Sequence, residues 1–136
     1  MNVPACAALL RPGGRMVVSA VGRVCPWEIA YYAVHGDRRR AFLRWRNDAV
    51  AVPLEGGTVW TRYYTPRRFY EPFAGSFALS AYQGLRILSP PPYMDHIDQR
   101  LRPLCALGEW LDERLGALPG MRDMGDHFLM VLTRRP

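Results

Sequence analysis

The chain has no lysine. All 18 of its basic residues are arginine, against 12 acidic residues, so guanidinium groups alone carry the net charge of +6. A basic excess can mark a nucleic-acid or anionic-membrane partner. Here no basic run is longer than Arg38-Arg39-Arg40. The charge therefore reads as a compositional bias spread over a solvated surface, and nucleic acid is not the expected partner. Cysteine is scarce. Cys6, Cys25 and Cys105 stand far apart, no Cys-x-x-Cys pair exists, and an odd count argues against a disulfide framework. Buried thiols in a reducing cytosol are expected, and a cytoplasmic location with them. No apolar run reaches the roughly 20 residues of a membrane span, so no membrane partner is expected. The first ten residues lack the charged start and cleavage site of a signal peptide. There is no internal repeat and no Gly-x-Ser-x-Gly nucleophile elbow. His35, His96 and His127 are scattered, with no metal-ligand spacing to a cysteine or carboxylate. His127 reads as a satisfied sheet residue, and Asp95, Asp98, Asp112 and Glu113 read as solvated helix charges.

What is present is globular: 136 residues, 49% hydrophobic and 12% aromatic, enough for one modest domain. The organising stretch is Leu9–Ala20. It predicts the end of a helix (Val3–Leu10), a tight Pro12-Gly13-Gly14 turn, and a strand from Arg15 to Val21. Met16-Val17-Val18 runs apolar without alternation, as a strand covered on both faces does. A helix follows from Trp27 to Arg46, breakable at Gly36-Asp37, with Arg38, Arg39, Arg40, Arg44 and Arg46 on a solvated face. Ala49–Leu54 and Thr58–Thr65 predict a hairpin around Glu55-Gly56-Gly57. Thr65-Pro66 starts a short helix that ends by Gly75. Ser76–Leu88 predicts a strand broken near Gln83-Gly84, followed by a stiff Ser89–Tyr93 linker. Ile97, Leu101, Leu104, Cys105, Leu107, Leu111, Leu115 and Leu118 mark a helix from Met94 to Leu118, kinked at Pro103. Gly125–Arg134 closes the chain as a strand. Alternating strands and helices argue for an α/β domain whose last two strands are antiparallel neighbours.

Four of these pieces, in order, resemble the end of a class I S-adenosylmethionine-dependent methyltransferase. They are Leu9–Gly14 with Arg15–Ser19, the lead-in Arg62-Tyr63-Tyr64-Thr65-Pro66, Phe77–Leu88 with Pro90-Pro91-Pro92-Tyr93, and Gly125–Leu132. The resemblance implies a partial Rossmann-like sheet made of the family's last three strands and flanking helices, plus an inserted β-hairpin. The last strand would run antiparallel between the other two. The family's glycine-rich cofactor loop and its acidic ribose-binding residue belong to a first half that residues 1–136 do not carry. The expectation is therefore a single partial domain, the C-terminal half. By resemblance the parent transfers a methyl group from S-adenosyl-L-methionine to a small-molecule acceptor, and this chain is inactive alone. The strand after the Pro-Gly-Gly turn would present an unpaired apolar edge, open to self-association or to a missing N-terminal half in trans.

In open α/β sheets ligands sit beyond the carboxyl ends of the strands, here residues 19–27. Ser19 can hydrogen-bond a ligand there. Arg23 can bind a carboxylate or phosphate as a fork. Trp27 and Tyr31, four apart on one helix, either wall a pocket or are core against the sheet. Tyr63 and Tyr64 alternate across a strand, so at most one faces a pocket, and Tyr64 is the candidate. Two other classes stay open. One is a non-enzymatic protein that pairs through its sheet edge. The other is a nucleic-acid binder, which steep weakening in salt would reveal.

Overall fold

The computed structural model of the protein describes residues 2–46, 48–54, 56–91 and 102–136. Helix α1 (Val3–Ala8) is capped by the Asn2 side chain, which accepts from the Ala5 amide at 3.3 Å. The Pro-Gly-Gly turn ends the helical run, with Gly13 at φ +77°, and strand β1 (Arg15–Val21) begins at once. The helix predicted from Trp27 to Arg46 breaks where Gly36-Asp37 allowed it. It becomes α2 (Pro26–Val34), α3 (Arg38–Ala41) and a 3₁₀ turn over Leu43–Trp45. The Asp37 side chain caps α3 by accepting from the Arg40 amide at 3.0 Å.

Strands β2 (Val50–Leu54) and β3 (Gly57–Thr61) form the expected hairpin, as a two-stranded sheet of their own. Strand β3 stops at Thr61 rather than Thr65 because the chain leaves the hairpin to join β1. The Tyr64 amide donates to the Val21 carbonyl at 3.1 Å, and the Arg23 amide donates to the Tyr64 carbonyl at 2.9 Å. Thr65 then caps α4 (Pro66–Tyr70), accepting from the Arg68 amide at 3.4 Å. A 3₁₀ turn over Glu71–Phe73 leads to β4 (Phe77–Leu85), and α5 (Arg102–Leu115) precedes the closing β5 (His127–Arg134). Pro103 lies in the first turn of α5; the part of the predicted helix before Arg102, together with Pro92 and Tyr93 of the predicted linker, lies outside the described residues.

The fold is mixed α/β. Its main sheet has the order β1-β5-β4, and β5 is antiparallel to both neighbours, so β1 and β4 run parallel to each other. One face of this sheet is covered. Phe77, Phe128, Met130 and Leu132 pack there against Val3 of α1, Phe69 of α4 and Phe73, with Met16, Val18 and Ala20 from β1. The other face departs from expectation. Along β1 exposure alternates, and Val17 is 61% exposed. The apolar Met16-Val17-Val18 run thus belongs to a strand covered on one side only. In β4 the predicted break at Gln83-Gly84 is absent, since Gly84 pairs in register with Phe128. The irregularity is a bulge at Ser80, between Leu79 and Ala81. It turns both Leu79 and Tyr82, three apart, toward the core, which simple alternation forbids.

Helix α5 docks by only part of the stripe its apolar residues mark, with Leu111 and Leu115 half-buried. Leu104 and Leu107 are about half exposed, while Cys105 and Gly108 are buried. A side chain at Gly108 would collide with the Leu88 carbonyl, so glycine is what lets the 87–89 backbone lie on the helix. Asp112 is no solvated charge. Its carboxylate accepts from the amides of Ile87, Leu88 and Ser89 and from the Ser89 hydroxyl, at 2.7–3.1 Å. Ser89, Pro90 and Pro91 are buried, so this part of the predicted stiff linker is packed down. Among the described residues no helix is long and apolar enough to cross a membrane. Asp112→Ala strands three amide donors, at about 1–3 kcal/mol. The expected result is a lower thermal midpoint and hydrogen exchange accelerated chiefly at residues 87–89.

Candidate functional site

The carboxyl ends of β1 and β4 meet at one end of the sheet, with His127, the first residue of β5, between Val21 and Leu85. Beneath this junction lies Arg44. It was expected on a solvated helix face, yet it is 5% exposed. Its Nε donates to the Glu28 carboxylate from the first turn of α2. Its Nη1 donates to the carbonyls of Gly22 and Asp126, at 3.0 and 3.1 Å. Its Nη2 donates to Asp126 Oδ1 at 2.6 Å, and the guanidinium carbon lies 5.1 Å from the centre of the Tyr63 ring. A guanidinium is always charged, so burial requires this saturation with acceptors.

Asp126 is 3% exposed and fixed at every polar group. Its amide donates to the Arg86 carbonyl at 3.3 Å, and its carbonyl accepts from the Gly22 amide at 2.8 Å. Its remaining oxygen, Oδ2, lies 2.8 Å from His127 Nδ1. An ionised carboxylate only accepts, so Nδ1 is the donor and the His127 tautomer is set. Arg86 reaches its position at φ 52°, a left-handed conformation that costs a side-chain-bearing residue about 1–2 kcal/mol. Cys25, fully buried beside this cluster, has its thiol pushed up to about 11 by burial, which outweighs the opposing pull of Arg44. It is a neutral thiol, not a nucleophile, at physiological pH. Burial also raises the Tyr63 hydroxyl, against the same pull.

The candidates read from the sequence do not converge on one cavity. Ser19 is exposed on the uncovered sheet face. Arg23 is half-buried and donates to the Trp45 carbonyl. Trp27 is half-buried. Tyr31 packs its ring edge-on to Tyr32 at 5.2 Å and against His35 at 4.3 Å. Tyr64 turns to the covered face, where it meets Phe69 edge-on at 5.4 Å and lines a hollow of about 130 Å³ with Val3, Arg68 and Phe73. Tyr63 points the other way, to Arg44, as strand alternation requires. A second hollow of about 210 Å³ lies between α4 and the sheet, floored by Leu79 and Met130. The hydroxyl protons of its two tyrosines are committed, Tyr70 to the Phe77 carbonyl at 2.8 Å and Tyr82 to Asp123 at 2.9 Å.

Among the described residues no three His, Cys, Asp or Glu side chains form a metal site. S-adenosylmethionine would need a glycine turn open to a ligand, and Gly22 does not supply one. A side chain at Gly22 would strike the Gly125 carbonyl, so its bareness serves the chain's own packing. No protein-family model matches the sequence, and no curated protein matches it.

The sign of the pH dependence follows from Cys25. Its thiol stays protonated in the folded state to about pH 11, against an ordinary value of 9.0. The unfolded chain therefore releases its proton first, and stability falls as pH rises from about 9 toward 11. Two pK units correspond to at most about 2–3 kcal/mol. Denaturant unfolding at pH 8 and pH 10.5 is expected to show this loss in the wild type, with a smaller loss in Cys25→Ala. The raised Tyr63 and Tyr82 hydroxyls contribute with the same sign. Equal losses in both proteins would rule out the Cys25 contribution.

Proposed function

We propose that this chain is the C-terminal half of a class I methyltransferase-like domain. Its parent moves a methyl group from S-adenosylmethionine to a small-molecule acceptor, and the chain supplies the acceptor side without catalysing alone. The observation that carries the reading is the strand arrangement. The last strand, β5, runs antiparallel between β1 and β4, which are parallel to each other, and the Pro-Gly-Gly turn leads into β1. This is the ending that the resemblance implies. Methyl transfer is mostly positioning for in-line displacement, so this half needs little chemical motif of its own. The three free thiols, Cys6, Cys25 and Cys105, accord with a reducing, cytoplasmic setting. Calorimetric titration of S-adenosylmethionine, or of its demethylated product, into the folded chain is expected to give no heat. Clear one-to-one binding would mean that the cofactor site is complete here, and the reading of a half domain would fall.

A second reading is favoured by the edge of β1. The Val21 carbonyl points away from β5, to Tyr64, so by alternation the backbones of Arg15, Val17 and Ser19 point the same way. Among the described residues Tyr64 is the one partner on that edge, and Val17 beside it is exposed. On this reading the chain is a non-enzymatic interaction protein that pairs through β1, with a second copy or with an N-terminal half in trans. Light scattering and a thermal melt test the exposed edge. The expected outcome is an oligomer, or a monomer of marginal stability; a monodisperse monomer with a sharp melt would count against it.

A further inference from the structure

The geometry points to His127 as a proton-accepting site for a small, mostly apolar molecule that carries one acidic O–H, a phenol being the matching class. The tautomer comes first. Nδ1 donates to Asp126 Oδ2, and Asp126 cannot turn away because Oδ1 is held by Arg44, which Glu28 and the Gly22 carbonyl hold in turn. In the neutral ring the proton is thereby on Nδ1 and the lone pair on Nε2. The side chain is 45% exposed, and with Nδ1 turned to the buried carboxylate, Nε2 is the nitrogen left for a ligand.

Charge selects the ligand. The ion-paired groups are Arg44, Glu28 and Asp126, which sum to +1 − 1 − 1 = −1. A proton accepted at Nε2 brings the set to zero, whereas an anionic ligand would add to its negative charge. The neighbouring cations are committed elsewhere, Arg23 to the Trp45 carbonyl and Arg86 to the Pro90 carbonyl and Glu109. Surroundings select the shape. Val21 and Leu85 stand directly across from His127, and Ser19 and Gln83 stand across from Leu129, all on the uncovered face. Val21, Leu85 and Leu129 are half-buried, while Ser19 and Gln83 are exposed. This is an apolar floor for a ring, with hydrogen-bonding corners, at the end of the sheet where α/β proteins bind ligands.

In the proton transfer the ligand O–H bond breaks, the proton goes to Nε2, and the oxygen keeps the bonding pair as a nucleophile. Identifying that oxygen as a methyl acceptor deepens the function proposed above and rests on it; the binding site itself does not. Phenol and anisole share a ring, but only phenol donates. Side-chain nitrogen NMR of the labelled chain reads both, with His127→Gln assigning the signal. The expected result is a protonated Nδ1 and a bare Nε2 whose signal moves with phenol. Affinity should be about tenfold higher for phenol than for anisole, the scale of one hydrogen bond to a strong acceptor. His127→Gln should lose that preference. A proton found on Nε2, or equal responses to the two compounds, no response to either included, would overturn the assignment. No cofactor enters this test, so its result is independent of the calorimetric one.

Discussion

A guanidinium kept from water must be answered by acceptors on every side, and the arrangement around Arg44 is organised by that demand. Its partners come from the start of α2, the loop after β1 and the entrance to β5, and Tyr63 lies against it from the segment after β3. Removing one member of such a buried pair costs about 3–5 kcal/mol, a large part of the 5–15 kcal/mol that holds a typical domain together. The apolar alternative is weak here, because α2 has no fully buried residue. The helical insert between β1 and the hairpin is therefore fastened to the sheet mainly through charge and hydrogen bonds.

That fastening sits on a lopsided sheet. One face carries the aromatic cluster of Phe69, Phe73, Phe77 and Phe128, with successive rings 5.4–6.1 Å apart. The other face leaves Val17 to water. Both hollows lie on the covered face, among side chains that are already core, such as Met130 and Phe73. His127, a half-exposed ring with a fixed hydrogen-bonding partner, lies on the uncovered face. The chemistry and the cavities are thus on opposite sides. One hollow lies where α4 packs on the sheet, the other where α4 and the turn after it pack near Val3 of α1 and Tyr64.

The elements were legible where punctuation is local. Pro12-Gly13-Gly14, Gly36-Asp37 and Thr65-Pro66 each act within three or four residues of themselves, and each marks a real boundary. The site was not legible, because its signals are long-range. Nothing in Arg38-Arg39-Arg40-Ala41-Phe42-Leu43-Arg44-Trp45-Arg46 separates Arg44 from its neighbours. Its partners lie 16 and 82 residues away. Asp112 hid in the same way, as one charge among several on a helix, with its amide donors 23–25 residues upstream. His127 looked like an ordinary satisfied strand residue, and on Nδ1 it is one. What alternation along β5 did not reveal was that its satisfying carboxylate is the adjacent Asp126, pinned from below.

The pinning also bears on how the sheet finds its register. Strand β5 pairs with β1 from nearly the opposite end of the chain, a contact that is slow to form and poorly guided by local structure. A slip of one residue would turn Phe128, Met130 and Leu132 out to the uncovered face. The same slip would carry Asp126 off Arg44, leaving a buried cation and a buried carboxylate without each other. Hydrophobic burial and ion pairing thus penalise the same error independently, one along the strand and one at its entrance. A sheet with one covered and one open face is already specified in register by burial, because the two faces differ. The Arg44–Asp126 pair adds a second penalty at the point where β5 begins, which is also where His127 is held.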